Sequence, residues 1–280
     1  MAATTDRRPN VVQGGPRARL ALRSAALGYL ALLLVIPVLM VFYKAFEDGV
    51  GNAWETVTSA EGASAFRLTL LMVGIAVPLN TVFGVVCAIV LVRHRFRGKA
   101  FLNALIDLPF AISPVVAGLA LVLVFNRRDG WFGPWLAERG VQVIFDPVGM
   151  AIATTFVSLP FVVREVVPVL QEIGDDQEQA ARTLGANGWQ TFWRITLPAI
   201  RWGVTYGVVL ATARALGEFG AVAVVSGRIS GVTETLPLVV AKEYETFNPA
   251  GAYAAALVLA IVGLATLFAM KLVRTREEGS

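Results

Sequence analysis

Six stretches in which apolar residues dominate every face divide the chain, at roughly 22–43, 67–92, 100–125, 148–170, 200–225 and 250–272. Each is long enough, as a helix, to cross about 30 Å of hydrocarbon. The runs do not alternate with period two, which argues against a transmembrane β-barrel. Inside a bilayer each segment must satisfy its own backbone polar groups, so the pattern predicts an all-α, polytopic membrane protein with about six transmembrane helices. Polar residues interrupt two of the spans. Span 4 holds Pro160 and the pair Arg164–Glu165, and span 5 holds Arg214 and Glu218. Pro78, Pro109, Pro114 and Pro160 are expected to bend or open spans 2, 3 and 4.

Composition agrees with this class. Of 280 residues, 56% are hydrophobic and 16% charged, and the mean hydropathy is +0.66. The net charge of +4 matters less than where the charges fall. Lys and Arg concentrate in the N-terminal tail, in loop 93–99, in loop 171–201 and after the last span, fifteen in all, against seven in the loops of the other side. The positive-inside rule then places both termini and the 171–198 loop in the cytoplasm. These arginines need no nucleic-acid partner to explain them; the surroundings of the spans are membrane lipid. The first apolar run follows basic residues, but its core is too long for a signal peptide and no small-residue cleavage pattern follows it, so it reads as a retained helix. Residues 1–18 read as a disordered cytoplasmic tail, 19–273 as a transmembrane domain and 274–280 as a second cytoplasmic tail. The external segments 44–66, 126–147 and 226–249 are too short for a solute-capturing or catalytic domain. No inverted internal repeat of the kind found in many secondary transporters is visible.

The chain is poor in reactive groups, which points away from an enzyme. Cys87 is the single cysteine and lies inside an apolar run, as a packing residue would. The single histidine, His94, sits in the basic loop 93–99, which argues against zinc chemistry and histidine-based triads. No Gly-x-x-x-x-Gly-Lys-Ser/Thr segment is present to cradle phosphates. No cofactor and no metal site is expected.

The polar loop between spans 4 and 5 carries the most local information. Asp175 or Asp176 suits an N-cap, and Glu178 falls in the first turn, where the helix dipole favours negative charge. Gln179 to Leu184 is good helix-forming sequence. Gly185 and Gly188, around Asn187, fit a C-cap and a tight turn. A second short helix is expected over about 189–195, with Trp189 and Trp193 on one face, and Pro198 then opens span 5 where its missing N–H costs little. Two roles suit such an elbow: an interfacial helix anchored by tryptophan at the headgroups, or a docking element for a partner protein.

Charges inside the membrane need partners or water, since each costs about 2.5–3.5 kcal/mol at a span centre. Arg214 and Glu218 are spaced i, i+4 and can pair with each other; the alternatives are a structural pair and a polar lining of a solute path. At 1.5 Å per residue from about position 200, both fall in the outer half of span 5. Arg164 is expected to snorkel to the cytoplasmic interface. Asn80 and Asp107 are further, weaker candidates for a path, and Gly203-x-x-x-Gly207 is a weak helix-association signal.

The loop resembles the signature Glu-Ala-Ala-x3-Gly-x9-Ile-x-Leu-Pro of bacterial ABC-importer permeases. Ala180, Ala181, Gly185, Ile195, Leu197 and Pro198 match in register; Gln179 stands at the motif's Glu position, with Glu178 beside it. The resemblance implies the type I ABC importer permease fold. It also implies that residues of about 179–194, Trp189 and Trp193 among them, form a coupling helix seated in a cleft of a separate ATPase. The segment Ala-Arg-Ala-Leu-Gly-Glu-Phe-Gly-Ala (213–221) is similar to the oxyanion branch of that family. Val-Val-Ser-Gly (224–227) and Thr-Leu-Pro-Leu (235–238) look like its sulfate/thiosulfate members, and by overall similarity like the W-type rather than the T-type subunit.

On this resemblance the expected function is a non-catalytic permease of an ATP-driven importer in the bacterial inner membrane. Its implied partners are a sister permease, two ATPase subunits and an extracytoplasmic sulfate-binding protein. Arg214, Glu218 and Asn80 are the candidate path residues. A molybdate or tungstate permease, a gradient-driven secondary anion transporter and a membrane enzyme are the rival readings.

Overall fold

The computed structural model describes residues 16–47 and 49–278. Residues 1–15 of the expected N-terminal tail and residues 279–280 of the C-terminal one lie outside them. The described residues hold helices and turns and no strand.

The first apolar run is α1 (Pro16–Leu30), a π turn over Ala31–Val35 and α2 (Ile36–Ala45). After the short α3 (Val50–Thr58) comes α4 (Ala60–Arg93), then the pair α5 (Lys99–Ala111) and α6 (Pro114–Phe125). The short α7 (Gly133–Ala137) leads to α8 (Pro147–Ile173), and α9 (Asp176–Thr183) and α10 (Gly188–Thr191) occupy the polar loop. A second π turn, Phe192–Thr196, joins α10 to α11 (Leu197–Leu216); α12 (Gly220–Val225), α13 (Leu236–Glu245) and α14 (Pro249–Glu278) complete the chain. α14 thus continues as helix through residues 274–278, read above as tail. Among the described residues, five helical runs are long and apolar enough to cross a membrane, and the bent α5–α6 pair makes a sixth crossing if it is one span.

Two expected spans are not single straight helices. Residues 100–125 bend by 113° between α5 and α6. Ile112 (ψ 135°) and Ser113 (ψ 137°) are extended there, because the ring of Pro114 disfavours helical geometry in the residue before it. Pro78, Pro109 and Pro160, by contrast, lie inside unbroken helices. Span 5 differs at both ends. It begins at Gly188, not near 200, and its long helix stops at Leu216. Gly217, Glu218 and Phe219 leave the helical path before α12 begins.

The two π turns share a cause. A proline inside a helix removes one N–H and crowds the carbonyl four residues back. Pro37 and Pro198 each follow a π turn whose last bond widens the ladder, Ile36 N–H to Ala31 O and Leu197 N–H to Phe192 O. The wider turn admits the proline without ending the helix. Pro198 therefore lies within a continuous rod and does not start a new helix.

Spans 2 and 5 pack against α8, which is span 4, through glycine. A Cβ on Gly84 of α4 would lie 2.7 Å from the Cβ of Val162, and one on Gly207 of α11 would lie 2.7 Å from its Cα. Gly203 meets the Glu165 carbonyl in the same way at 2.9 Å, so the Gly203-x-x-x-Gly207 pair serves packing inside this chain. Val162, Val166, Leu170 and Ile200 fill the core toward the loop end of these helices, and Ala211 continues it along α11. Met72, Met150, Val222, Val225 and Leu238 fill the core at the other end, where α12 and α13 pack.

Candidate functional site: the 176–198 elbow and the paired charges

Three kinds of local chemistry shape the elbow. α9 ends in a full Schellman motif: Ala186 N–H donates to Ala181 O (3.0 Å), Gly185 N–H donates to Arg182 O (3.0 Å), and Gly185 takes φ +88°. Asn187 and Gln190 then form a capping box, with Gln190 N–H donating to Asn187 Oδ1 (2.9 Å) and Asn187 N–H to Gln190 Oε1 (3.0 Å). Gly185 is thus the turn residue, whereas Gly188 is the first residue of the next helix and Asn187 its N-cap. Asp175 is the N-cap position of α9, without a side-chain cap bond. The expected separate aromatic helix is instead the first turn of the rod that becomes span 5.

The signature residues divide by exposure. Gln179, Ala180, Gly185, Trp189, Trp193 and Pro198 lie on the accessible side, Ile195 and Leu197 are half-buried or less exposed, and Glu178 and Ala181 are buried. Trp189 and Trp193 meet edge to face with ring centroids 5.5 Å apart, and Phe192 packs on Trp193 at 5.3 Å. Trp189 is 70% exposed and Leu184 89%, so the elbow offers rigid apolar groups outward on a polar frame.

Glu178 turns inward. Its carboxylate accepts from Arg93 Nε (3.0 Å) and Nη2 (3.3 Å) and from Thr196 Oγ1 (2.9 Å). The same guanidinium donates to Leu170 O (3.0 Å) and Gly174 O (2.6 Å). In the sequence Arg93 stands out only as one of the basic residues that set orientation. The available signal is the spacing of Glu178 and Ala181, three apart on one helix face, with an arginine at the end of a neighbouring span.

Two pairs of intramembrane charges form within this chain. Arg214 Nη2 lies 2.6 Å from Glu218 Oε2, with Glu218 almost wholly buried. The contact is an ion pair by distance, its N–H not aligned as a hydrogen bond. Glu218 Oε1 accepts from Ala221 N–H (2.8 Å), so one carboxylate both neutralises Arg214 and caps α12 across the break. Arg164 does not snorkel. It forms a two-pronged pair with Asp107 and also donates to Asn103 Oδ1 (3.2 Å). Asp107 lies eight residues from the start of α5, and Arg164 nine from the end of α8, at the ends that face the elbow. The two charges therefore sit at one depth, which is why a lateral partner wins over the interface. Asn80 is buried between α4 and α8, where its Nδ2 donates to Thr155 O (3.0 Å) and Ser158 Oγ (2.9 Å).

At the end away from the elbow, Lys242 joins Glu61 (3.1 Å) and Glu234 (3.4 Å). Burial lowers its ammonium, but hydrogen bonds and attraction from these two carboxylates outweigh that and hold it above the ordinary lysine value. Thr69 of α4 accepts from Leu236 N–H at the start of α13 (2.9 Å). These contacts fix the Thr-Leu-Pro-Leu segment to span 2. Beside the break in span 5 a cavity of about 520 Å³ is lined by apolar groups with Phe219, Tyr244 and Tyr253 among them, and no charged side chain.

An all-helical membrane bundle with a capped, outward-facing elbow between two spans is the architecture of an importer's membrane subunit. Residues 80–278 match the family described as binding-protein-dependent transport system inner membrane component, and the chain belongs to that family. It is 53% identical over 251 residues to the sulfate transport system permease protein CysW of Synechocystis sp., covering 90% of this chain and 91% of that one. It is 38% identical over 248 residues to the sulfate transport system permease protein CysT of Escherichia coli K12, covering 89% of each. Among solved structures, a bacterial ABC transporter that imports the acidic polysaccharide alginate shares the fold, with a TM-score of 0.76 at 17% identity over 93% of this chain and 96% of that one.

Proposed function

We propose that this chain is the W-type permease of a sulfate importer. It forms half of a transmembrane pathway with a T-type sister permease. Two ATPase subunits grip the cytoplasmic elbows, and an external binding protein delivers the anion. The observation that carries this reading is the elbow itself, with signature residues in register, exposed tryptophans on a rigid rod and a buried carboxylate behind them. The similarity to CysW and CysT supports sulfate as cargo and a heterodimeric pathway. The fifteen-to-seven distribution of Lys and Arg supports cytoplasmic termini.

The chain's part in the cycle is mechanical. ATP binding closes the ATPase dimer, draws the elbows together and favours the outward-facing arrangement; hydrolysis returns the pathway inward. The work comes from the different affinity of the two arrangements for nucleotide, not from chemistry on the anion. Arg214 adds little net positive potential to a path, because Glu218 neutralises it. Weak attraction suits conduction, since a tight site would hold a dianion.

The test is uptake of labelled sulfate in a strain lacking this chain. Restoring the chain is expected to restore uptake, with competition by thiosulfate and little by molybdate or tungstate. Restoring a chain without residues 178–198 is expected to give none. Restored molybdate uptake without sulfate uptake would assign the chain to the rival oxyanion, and sulfate uptake without the elbow would remove its docking role.

A further inference from the structure

The joint between α8 and α9 turns on a single glycine. Gly174 carries φ +64° and ψ −165°, and a Cβ there would meet no atom within 4 Å. Among the described residues, no backbone hydrogen bond crosses Gly174 from α9 to α8. A side chain bridges it. Arg93, from the end of α4, donates to Leu170 O and Gly174 O on one side of the joint, at 3.0 and 2.6 Å. With the rest of its guanidinium it grips Glu178 on the other side. The first two bonds satisfy carbonyls that the end of α8 leaves without helical partners. Thr196 Oγ1 donates to the same carboxylate from the π turn, which ties in the rod of span 5. Both charged side chains are nearly buried, 13% and 10% exposed, so salt screens the pair little.

We infer that Arg93 is a positioning residue for transport: by clamping Glu178 across Gly174 it locks the elbow to spans 2, 4 and 5, so that motion imposed on the elbow moves the helices together. This rests on the elbow being the ATPase contact. A planar fork is needed, because one group must reach two carbonyls and two carboxylate oxygens at once; a lysine ammonium has the charge without that geometry. The signature's charged position is an exposed amide here, and the neighbouring carboxylate is spent inside the chain.

The test uses the complete transporter, with sister permease, ATPases and binding protein, in proteoliposomes. Arg93→Lys is expected to assemble and to hydrolyse ATP, while sulfate moved per ATP falls about tenfold, the scale of an ordinary coupling energy. Nitroxides at exposed Gln171 and Thr183, in a Cys87→Ala background, read the joint directly. Their distance distribution is expected to be narrow in the parent and to broaden about twofold in the Arg93→Lys variant as the lock is released. Glu178→Gln, read by the same distance alone, serves if Arg93→Lys does not assemble, and is expected to broaden it too. An unchanged width in the variant read, or parallel loss of ATP hydrolysis and uptake at unchanged width, would overturn the lock and leave Arg93 an ordinary packing residue. The distance measurement needs no sulfate, so a failure of the sulfate reading would show separately, as wild-type complex that moves none.

Discussion

A Gly185→Val permease is expected to reach the membrane in normal amount yet to lose about tenfold or more of its uptake, a coupling loss of the ordinary scale. Gly185 holds φ +88°, a conformation that costs an L-residue about 1–2 kcal/mol and a β-branched one more. The surroundings are not the obstacle, since a Cβ there meets nothing within 4 Å. The strain falls on the backbone, and relieving it breaks the Schellman bonds to Ala181 O and Arg182 O. α10 and the π turn after it, which carry Trp189 and Trp193, then point elsewhere relative to α9, and the proposed docking surface loses its shape. Because the turn is exposed, the bundle itself stays folded. Gly185→Asn is the control. Asn tolerates left-handed geometry, so most uptake is expected to remain. Wild-type uptake and ATPase stimulation in Gly185→Val would remove the elbow's role.

Arg214→Ala is expected to act on the fold. It leaves the Glu218 carboxylate, almost wholly buried, without its counter-charge, and removing one partner of a buried pair costs about 3–5 kcal/mol. That is a large share of the stability of any single domain. The measurement is the yield and thermal midpoint of the permease in detergent, with both expected to fall sharply. Glu218→Gln keeps an acceptor for Ala221 N–H, so Arg214→Met combined with Glu218→Gln is expected to recover most of the loss. If Arg214→Ala is as stable as the parent, the pair is not a structural lock. If Arg214→Lys leaves uptake and assembly untouched, the guanidinium geometry is not needed on the anion's route.

Where the sequence predicts well, one local rule acts without competition. The lengths of the apolar runs locate the crossings, because hydrocarbon thickness dictates them. Gly185 is legible as a C-cap because only a left-handed residue closes that turn. Three departures arise where two rules compete. At Ser113 the helical tendency of an apolar run meets the pre-proline restriction, and the latter wins with a 113° bend. At Pro198 the same residue type produces no break, because a π turn absorbs it; sequence alone does not distinguish the two outcomes. At Gly217–Phe219 hydropathy continues, yet Gly217, Gly220 and a carboxylate able to cap α12 favour a break. The side-chain ties are harder still. Arg93 with Glu178 and Arg164 with Asp107 join residues 85 and 57 apart, and no periodicity within one helix reports a partner on another. Asn80 looks available for a path because a lone amide in an apolar run advertises polarity but not direction; the structure seats it between α4 and α8.

Whether this chain is a conduit moved by a separate motor is read most directly from sulfate accumulation in proteoliposomes containing both permeases and loaded binding protein, with and without the ATPase subunits and with ATP supplied. The account predicts accumulation against a gradient only when ATPase and ATP are both present. Accumulation by the permeases alone, driven by a proton or sodium gradient, would contradict it.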